Sequence, residues 1–244
     1  MALARRDVKL RYRQTLLGVA WAVIQPLLAA TIFAAILGRV IKVPSEGLPY
    51  IVFVYSGLCI WTYISTTVDA TARSLVDKSE LVRKIYFPRL LAPIAATLPG
   101  LIDFAISLVV LVVFMVLTGV APGLAVLLVP VWIGATIAIT FTVGMTLAAL
   151  NVEYRDVRYA LGFLVQIWLF ASPVVYPSSL IDGWQRYVYA LNPVVGVLDG
   201  FRWSAVGAPL PPAADLLGIV TTVLVFIGGL VYFRRAERRF ADVI

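Results

Sequence analysis

The chain has 244 residues, 61% hydrophobic and 14% charged, with 20 Lys and Arg against 13 Asp and Glu and a formal net charge of +7. A soluble domain is nearer one quarter charged, so this composition cannot cover a water-soluble core and excludes that class. Histidine is absent, which removes imidazole bases, imidazole metal ligands and His proton relays.

The N-terminal segment sets Val8, Leu10 and Tyr12 among Arg5, Arg6, Lys9, Arg11 and Arg13. Its period of two suggests a strand. An isolated strand at a membrane surface leaves its backbone unpaired, however, so an N-terminal amphipathic helix is expected. Residues 14–38 carry no charge and hold the first predicted span, 16–38. That run exceeds the apolar region of a signal peptide, about 7–15 residues, and reads as a retained span. Gln14, Gly18, Trp21 and Gln25 share one helical face, suited to packing on another helix or lining a wet path, and Pro26 loosens the helix beyond them. Residues 47–68 hold the second span, 48–68, with the single cysteine, Cys59, read as a small buried hydrophobe.

Segment 74–88 then reads as a short surface helix. Ser74 and Asp77 fit a capping box, and Pro88 supplies the stop. Leu75, Val82, Ile85 and Tyr86 fall near one face, with Lys78, Arg83, Lys84 and Arg89 over the rest. Two readings remain open: a helix resting on anionic headgroups, and a coupling helix docked on an ATPase.

Residues 104–152 contain no charged side chain. A bilayer core about 30 Å thick is crossed by roughly 20 helical residues, so the third and fourth spans are placed at 91–118 and 124–150 with Ala121-Pro122-Gly123 as the turn. Asp103 reads as facing a polar seam near the start of a span broken by Pro93, Pro99 and Gly100; the alternative is a proton or cation site. Loop 151–158, with Glu153, Arg155, Asp156 and Arg158, is a solvated connection or a second contact to a partner. The fifth span is predicted at 159–176. Segment 177–213 is rich in amphipathic aromatics, among them Trp184, Tyr187, Tyr189, Phe201 and Trp203, and has a turn at Asn192-Pro193. Two short helices, 181–190 and 194–205, are expected to dip back into the outer leaflet, as an outer gate or as an interfacial loop. Trp184, Tyr187, Asn192, Pro193 and Arg202 are the candidate gate residues. The sixth span is 215–233.

Basic residues orient these spans. Sixteen of the 20 precede span one, lie between spans two and three or four and five, or follow span six; only Arg39, Lys42, Arg186 and Arg202 fall on the other side. Both termini are therefore expected in the cytoplasm, and the positive charge reflects topology, not a nucleic-acid footprint. No phosphate-binding loop, G-x-S-x-G elbow or H-E-x-x-H helix occurs, so the chain is read as a non-catalytic permease without a motor of its own.

Several segments in order resemble the polysaccharide-export permeases of the ABC type 2 class, the Wzm, KpsM and TagG group. They are Arg11-Tyr12-Arg13-Gln14-Thr15-Leu16-Leu17-Gly18 with Trp21 and Pro26, Arg83-Lys84-Ile85-Tyr86-Phe87-Pro88-Arg89, Tyr154-Arg155-Asp156-Val157, Ser172-Pro173-Val174-Val175-Tyr176 and Leu191-Asn192-Pro193. The resemblance implies one all-α transmembrane domain over 1–244, with six transmembrane helices and outer re-entrant gate helices. It implies a homodimer bound to two ATPase subunits in a bacterial inner membrane, exporting a lipid-linked polysaccharide. ATP and magnesium belong to the partner, and this chain carries no cofactor. Coupling is implied at Leu75, Lys78, Val82, Arg83, Lys84, Tyr86 and Arg89, with Arg155 and Asp156 as the second contact. Aromatics along a sugar path are implied at Trp21, Trp61, Tyr63, Trp168 and Tyr176, beside the polar candidates Gln14, Gln25 and Asp103. A drug or small-lipid exporter of the same superfamily is the alternative, followed by an ion-coupled carrier or a membrane enzyme.

Overall fold

The second predicted span forms the axis of the molecule. The computed structural model describes residues 20–77, 90–154 and 156–237; within them the chain forms eight α-helices and no strand. Helix α1 (Trp21–Phe33) runs on as a π-helix (Ala34–Val40), and α2 covers Tyr50–Asp77. Helix α3 is Leu91–Thr118, and α4 is Val129–Glu153, preceded by a 3-10 turn at Leu124–Leu128. Helices α5 (Val157–Phe170), α6 (Trp184–Ala190), α7 (Pro193–Val206) and α8 (Leu216–Glu237) complete the fold. The expected N-terminal amphipathic helix with Gln14, the coupling residues Lys78, Val82, Arg83, Lys84, Tyr86 and Arg89, and Arg155 lie outside the described residues.

Five helical stretches are long and apolar enough to cross a bilayer: Val23–Val40, Tyr50–Asp77, Leu91–Thr118, Leu124–Glu153 and Ala213–Ala236. They coincide with five of the predicted spans. The fifth, predicted at 159–176, is different. Helix α5 has 14 residues; at 1.5 Å per residue it reaches ~21 Å, short of the ~30 Å core. Its end is local in origin. Pro173 disfavours helical geometry at Ser172, and the chain turns through residues 171–176 instead. Between α3 and α4 the break comes where Pro122 and its neighbours predict it, with Gly119 taking the left-handed conformation (φ 71°) that closes α3.

Helix α2 is sheathed by α1, α3, α4 and α7. Apolar side chains gain little by leaving lipid for protein, so membrane helices associate through small residues and close backbone approach. Thr67 and Thr71, one turn apart on α2, show this. Thr67 lies against Gly100 of α3, and Thr71 against Gly144 of α4; a Cβ on either glycine would collide with the threonine. At the end where α2, α4 and α8 finish, a second core gathers Leu75, Ala92, Met145, Ala148, Ala149 and Phe233.

That core corrects one expectation. Ser74 caps no helix: it lies inside α2, and its hydroxyl donates to the Thr71 carbonyl at 2.7 Å. Leu75, expected on a docking face, is fully buried. The capping-box pattern matched because a serine in mid-helix bonds back to the preceding turn just as readily as it caps a new one.

Helix α7 is enclosed by α2, α4 and α8, and most of its residues are buried. Against α4, Gly200 meets the Trp132 ring, and an added Cβ would collide with that ring. Gly200→Ala therefore forces a shift in the ring or the helix, at about 1–3 kcal/mol for overpacking. A lowered melting temperature in detergent is expected, and an unchanged one would contradict this packing.

Candidate functional site

The polar chemistry of the described residues concentrates where α7 meets the turn at 171–176. Arg202, on α7, is 1% exposed. Its Nη1 donates to the Pro173 carbonyl, and its Nη2 donates to the carbonyls of Val174 (2.6 Å) and Phe53 (3.2 Å). Nε reaches Ser56 Oγ at 3.3 Å, and the guanidinium lies 3.8 Å from the centre of the Phe53 ring. Gly57 makes room, since a Cβ there would strike the Val174 carbonyl and Arg202 Nη2. Burial lowers the Arg202 pKa to about 10, with Asp199 opposing the shift, so the group remains charged near neutrality. Arg202 was expected among the outer gate residues; the structure makes it an internal clamp joining α7, α2 and the turn.

Asp199, one helical turn before Arg202, is 9% exposed. Burial raises its pKa to about 7, with Ser178 and Arg202 as the main opposing influences. Nearby, Arg186 of α6 pairs with Asp215, at the foot of α8, through Nη2 at 3.0 Å. Sequence reasoning passed over Asp199, Arg186 and Asp215. The available signal was the i, i+3 spacing of Asp199 and Arg202 within an otherwise small and apolar helix.

Asn192 forms a second junction. Its Oδ1 caps α7 by accepting from Val194 N at 3.1 Å, and also accepts from Trp168 Nε1 at 3.0 Å. Its Nδ2 donates to the Ala171 carbonyl and to Ser172 Oγ. Every polar atom of the amide is used, and Pro193 occupies the first helical position where its missing N–H costs nothing. Trp168 in turn meets Trp61 edge to face, with centroids 5.7 Å apart.

The remaining candidates scatter. Trp61 and Tyr63 are buried within the chain, and Tyr63 stacks on Phe104 at 4.9 Å. Asp103, beside Phe104, is half-buried. Trp21 and Gln25 are exposed on α1. Tyr176 is half-buried; its hydroxyl donates to the Phe170 carbonyl and accepts from Tyr189. Trp184 and Tyr187 are exposed on α6. Asp156 is exposed at the start of α5 and makes no side-chain cap. A feature the sequence reading missed lies on α5 itself: Tyr159, Phe163, Gln166 and Phe170 recur on one helical face, and all are exposed.

These features define a multi-pass, all-helical membrane protein whose buried charges clamp the helices that connect its last two apolar segments. The chain belongs to the ABC-2 type transporter family, whose model matches residues 1–206. It is 31% identical to the O-antigen export system permease protein RfbA of Myxococcus xanthus over 250 residues, covering 100% of this chain and 94% of that protein. It is 24% identical to RfbA of Klebsiella pneumoniae, with the same coverage, and 25% identical to the polysialic acid transport protein KpsM of Escherichia coli, covering 97% of this chain and 93% of that one.

Two outcomes follow from the clamp. Arg202→Met leaves the buried Pro173 and Val174 carbonyls without their donor, at a cost of about 3 kcal/mol. Arg202→Lys keeps the charge but loses the planar fork and is expected to fall between Met and wild type in melting temperature and monodispersity; a Lys variant as stable as wild type would refute the forked arrangement. Asp199 has its pKa raised in the folded state, so the folded chain holds a proton that the unfolded chain releases. That contribution favours folding below the unfolded value of 3.8 and is lost as pH rises through about 7. Between about pH 5 and about pH 8, the melting temperature of Asp199→Asn should therefore decline less than that of wild type.

Proposed function

We propose that this chain is the membrane subunit of an ATP-driven exporter that moves a lipid-linked polysaccharide across a bacterial inner membrane. The observation that carries this reading is the exposed face of α5. Tyr159, Phe163 and Phe170 present rings along a helix with almost no buried residue, and α1 beside Trp21 and Gln25 is similarly uncovered. Sugars stack weakly on aromatic faces without needing a closed pocket, which suits a polymer that must slide. Two copies placed with α1 and α5 towards each other would line a seam with these rings and cover them from lipid. The names of the relatives, O-antigen export permease and polysialic acid transport protein, support the same cargo class.

The described basic residues support an orientation with both termini in the cytoplasm. Arg73, Arg158, Arg234 and Arg235 all sit where α2 and α8 end and α5 begins. The motor is a separate ABC ATPase binding ATP and magnesium. It is proposed to act through segment 78–89 and the 154–156 loop, including Arg83, Lys84, Tyr86 and Arg155.

Purification of the tagged chain with its ATPase tests the arrangement. Tyr86→Asp, or deletion of 78–87, should reduce ATPase recovery at least ~10-fold, the equivalent of ~1.4 kcal/mol, while the membrane subunit remains monodisperse. Undiminished recovery removes the coupling assignment. Loss of surface polysaccharide in cells lacking the chain tests the cargo, and unaltered display points instead to a drug or small-lipid exporter.

A further inference from the structure

A polar cleft lies beside α7, away from the exposed face of α5. It encloses about 270 Å³ between Glu46, Ser178, Ser179, Arg186, Asp199 and the proline-rich stretch 209–212. Two atoms of these lining residues are buried and have no hydrogen-bond partner within the protein: Asp199 Oδ2, an acceptor, and Arg186 Nε, a donor. The rest of the Arg186 guanidinium is occupied by Ser178 and by both oxygens of Asp215. Buried polar atoms are usually paired, so an unpaired donor and an unpaired acceptor on two residues that line one cleft point to a ligand that supplies both.

Charge narrows the ligand. Glu46, Asp215 and the partly ionised Asp199 balance Arg186 and Arg202 in and behind the cleft, so no surplus positive charge favours a phosphate or a uronate. Among the described residues no three carboxylates are grouped to hold a metal ion. A neutral molecule with neighbouring hydroxyls meets the remaining requirement, since one hydroxyl can donate while the next accepts. The prolines at 209, 211 and 212 offer a rigid apolar wall for the C–H face of a ring. The volume lies just below the usual range for ligand pockets, about 300–1,000 Å³, and suits one sugar ring rather than an oligosaccharide.

We propose that this cleft binds a single neutral pyranose unit of the exported glycan, Asp199 accepting from one ring hydroxyl and Arg186 Nε donating to its neighbour. The proposal rests on the polysaccharide reading above and adds a discrete subsite apart from the aromatic face. Its place among the gate helices α6 and α7 suits a unit held after passage, before release.

Cysteine labelling tests it in the full chain bound to its ATPase. Cys59 is fully buried, so Ser179→Cys introduces the accessible thiol. Methyl glucoside, galactoside and mannoside serve as neutral probes and methyl glucuronide as the anionic one. At a probe concentration about twice the dissociation constant, at least one neutral hexoside should slow labelling ~3-fold, while the glucuronide does not. Leu210→Trp, on the exposed rim, should fill the cleft and abolish the protection without releasing the ATPase. Failure of every neutral hexoside to protect, or equal protection by the glucuronide, overturns the subsite. In cells, reduced glycan display by Leu210→Trp supports it. Display that requires the chain but is indifferent to Leu210→Trp overturns the subsite and leaves the export reading intact. Display that persists without the chain overturns that reading, and the cleft's role with it.

Discussion

A charged guanidinium with 1% exposure is the constraint around which the described structure is arranged. An arginine removed from water costs several kcal/mol unless its fork is filled. Here the acceptors come from two directions: α2 offers Ser56 and the Phe53 carbonyl, and the turn after α5 offers Pro173 and Val174. The Pro173 and Val174 carbonyls are free because α5 does not continue past Phe170, whereas the Phe53 carbonyl, inside α2, also accepts from Ser56 Oγ. The short α5, the irregular turn and the buried arginine are thus one solution. The turn supplies orphan carbonyls, and the arginine supplies the donors that such backbone needs at membrane depth.

The same arrangement separates a fixed part of the molecule from an uncovered one. Helix α2 is held on all sides, by Gly100 and Gly144 through its threonines and by Arg202 through its first turns. Helices α1 and α5 have few buried residues despite their apolar surfaces. On the proposed reading, in which two copies meet and part, the clamped helices would provide the rigid wall and the uncovered ones the moving seam. Rigid-body displacement of packed helices is the usual mechanical vocabulary of such switches.

Much of this was legible in the sequence, for reasons that also mark the limits. The five long spans were read because charge-free stretches of about 20 residues have few other uses. The span predicted at 159–176 was over-extended, since hydropathy does not distinguish apolar helix from apolar turn; residues 172–175 are buried against protein, and only Pro173 hinted at the break. Arg202 was read as a gate residue, but its partners Phe53, Ser56, Pro173 and Val174 are distant in the chain and could not be named from it. Ser74 passed for a cap because a four-residue pattern carries no information about the helix around it. The cleft was invisible for a different reason. Glu46, Arg186, Asp199 and Asp215 are far apart in the chain, and only the packing of α6, α7 and the start of α8 brings them together.

The junction at Asn192 shows how the fixed part tells the moving part where it is. Its amide holds the end of α5 through Ala171 and Ser172 while capping α7, and Trp168 of α5 donates to the same oxygen. A displacement of α5 along its axis therefore cannot leave α7 undisturbed without breaking the bonds of the Asn192 amide. Asp199 lies two turns further along α7, beside the cleft, with Arg202 one turn beyond it. On the proposed reading, motion of the α5 seam during export is felt at Asp199 through a single helix of 14 residues. The cleft and the aromatic face are then two stations on one lever, and a glycan unit held at the first is positioned to respond to opening at the second.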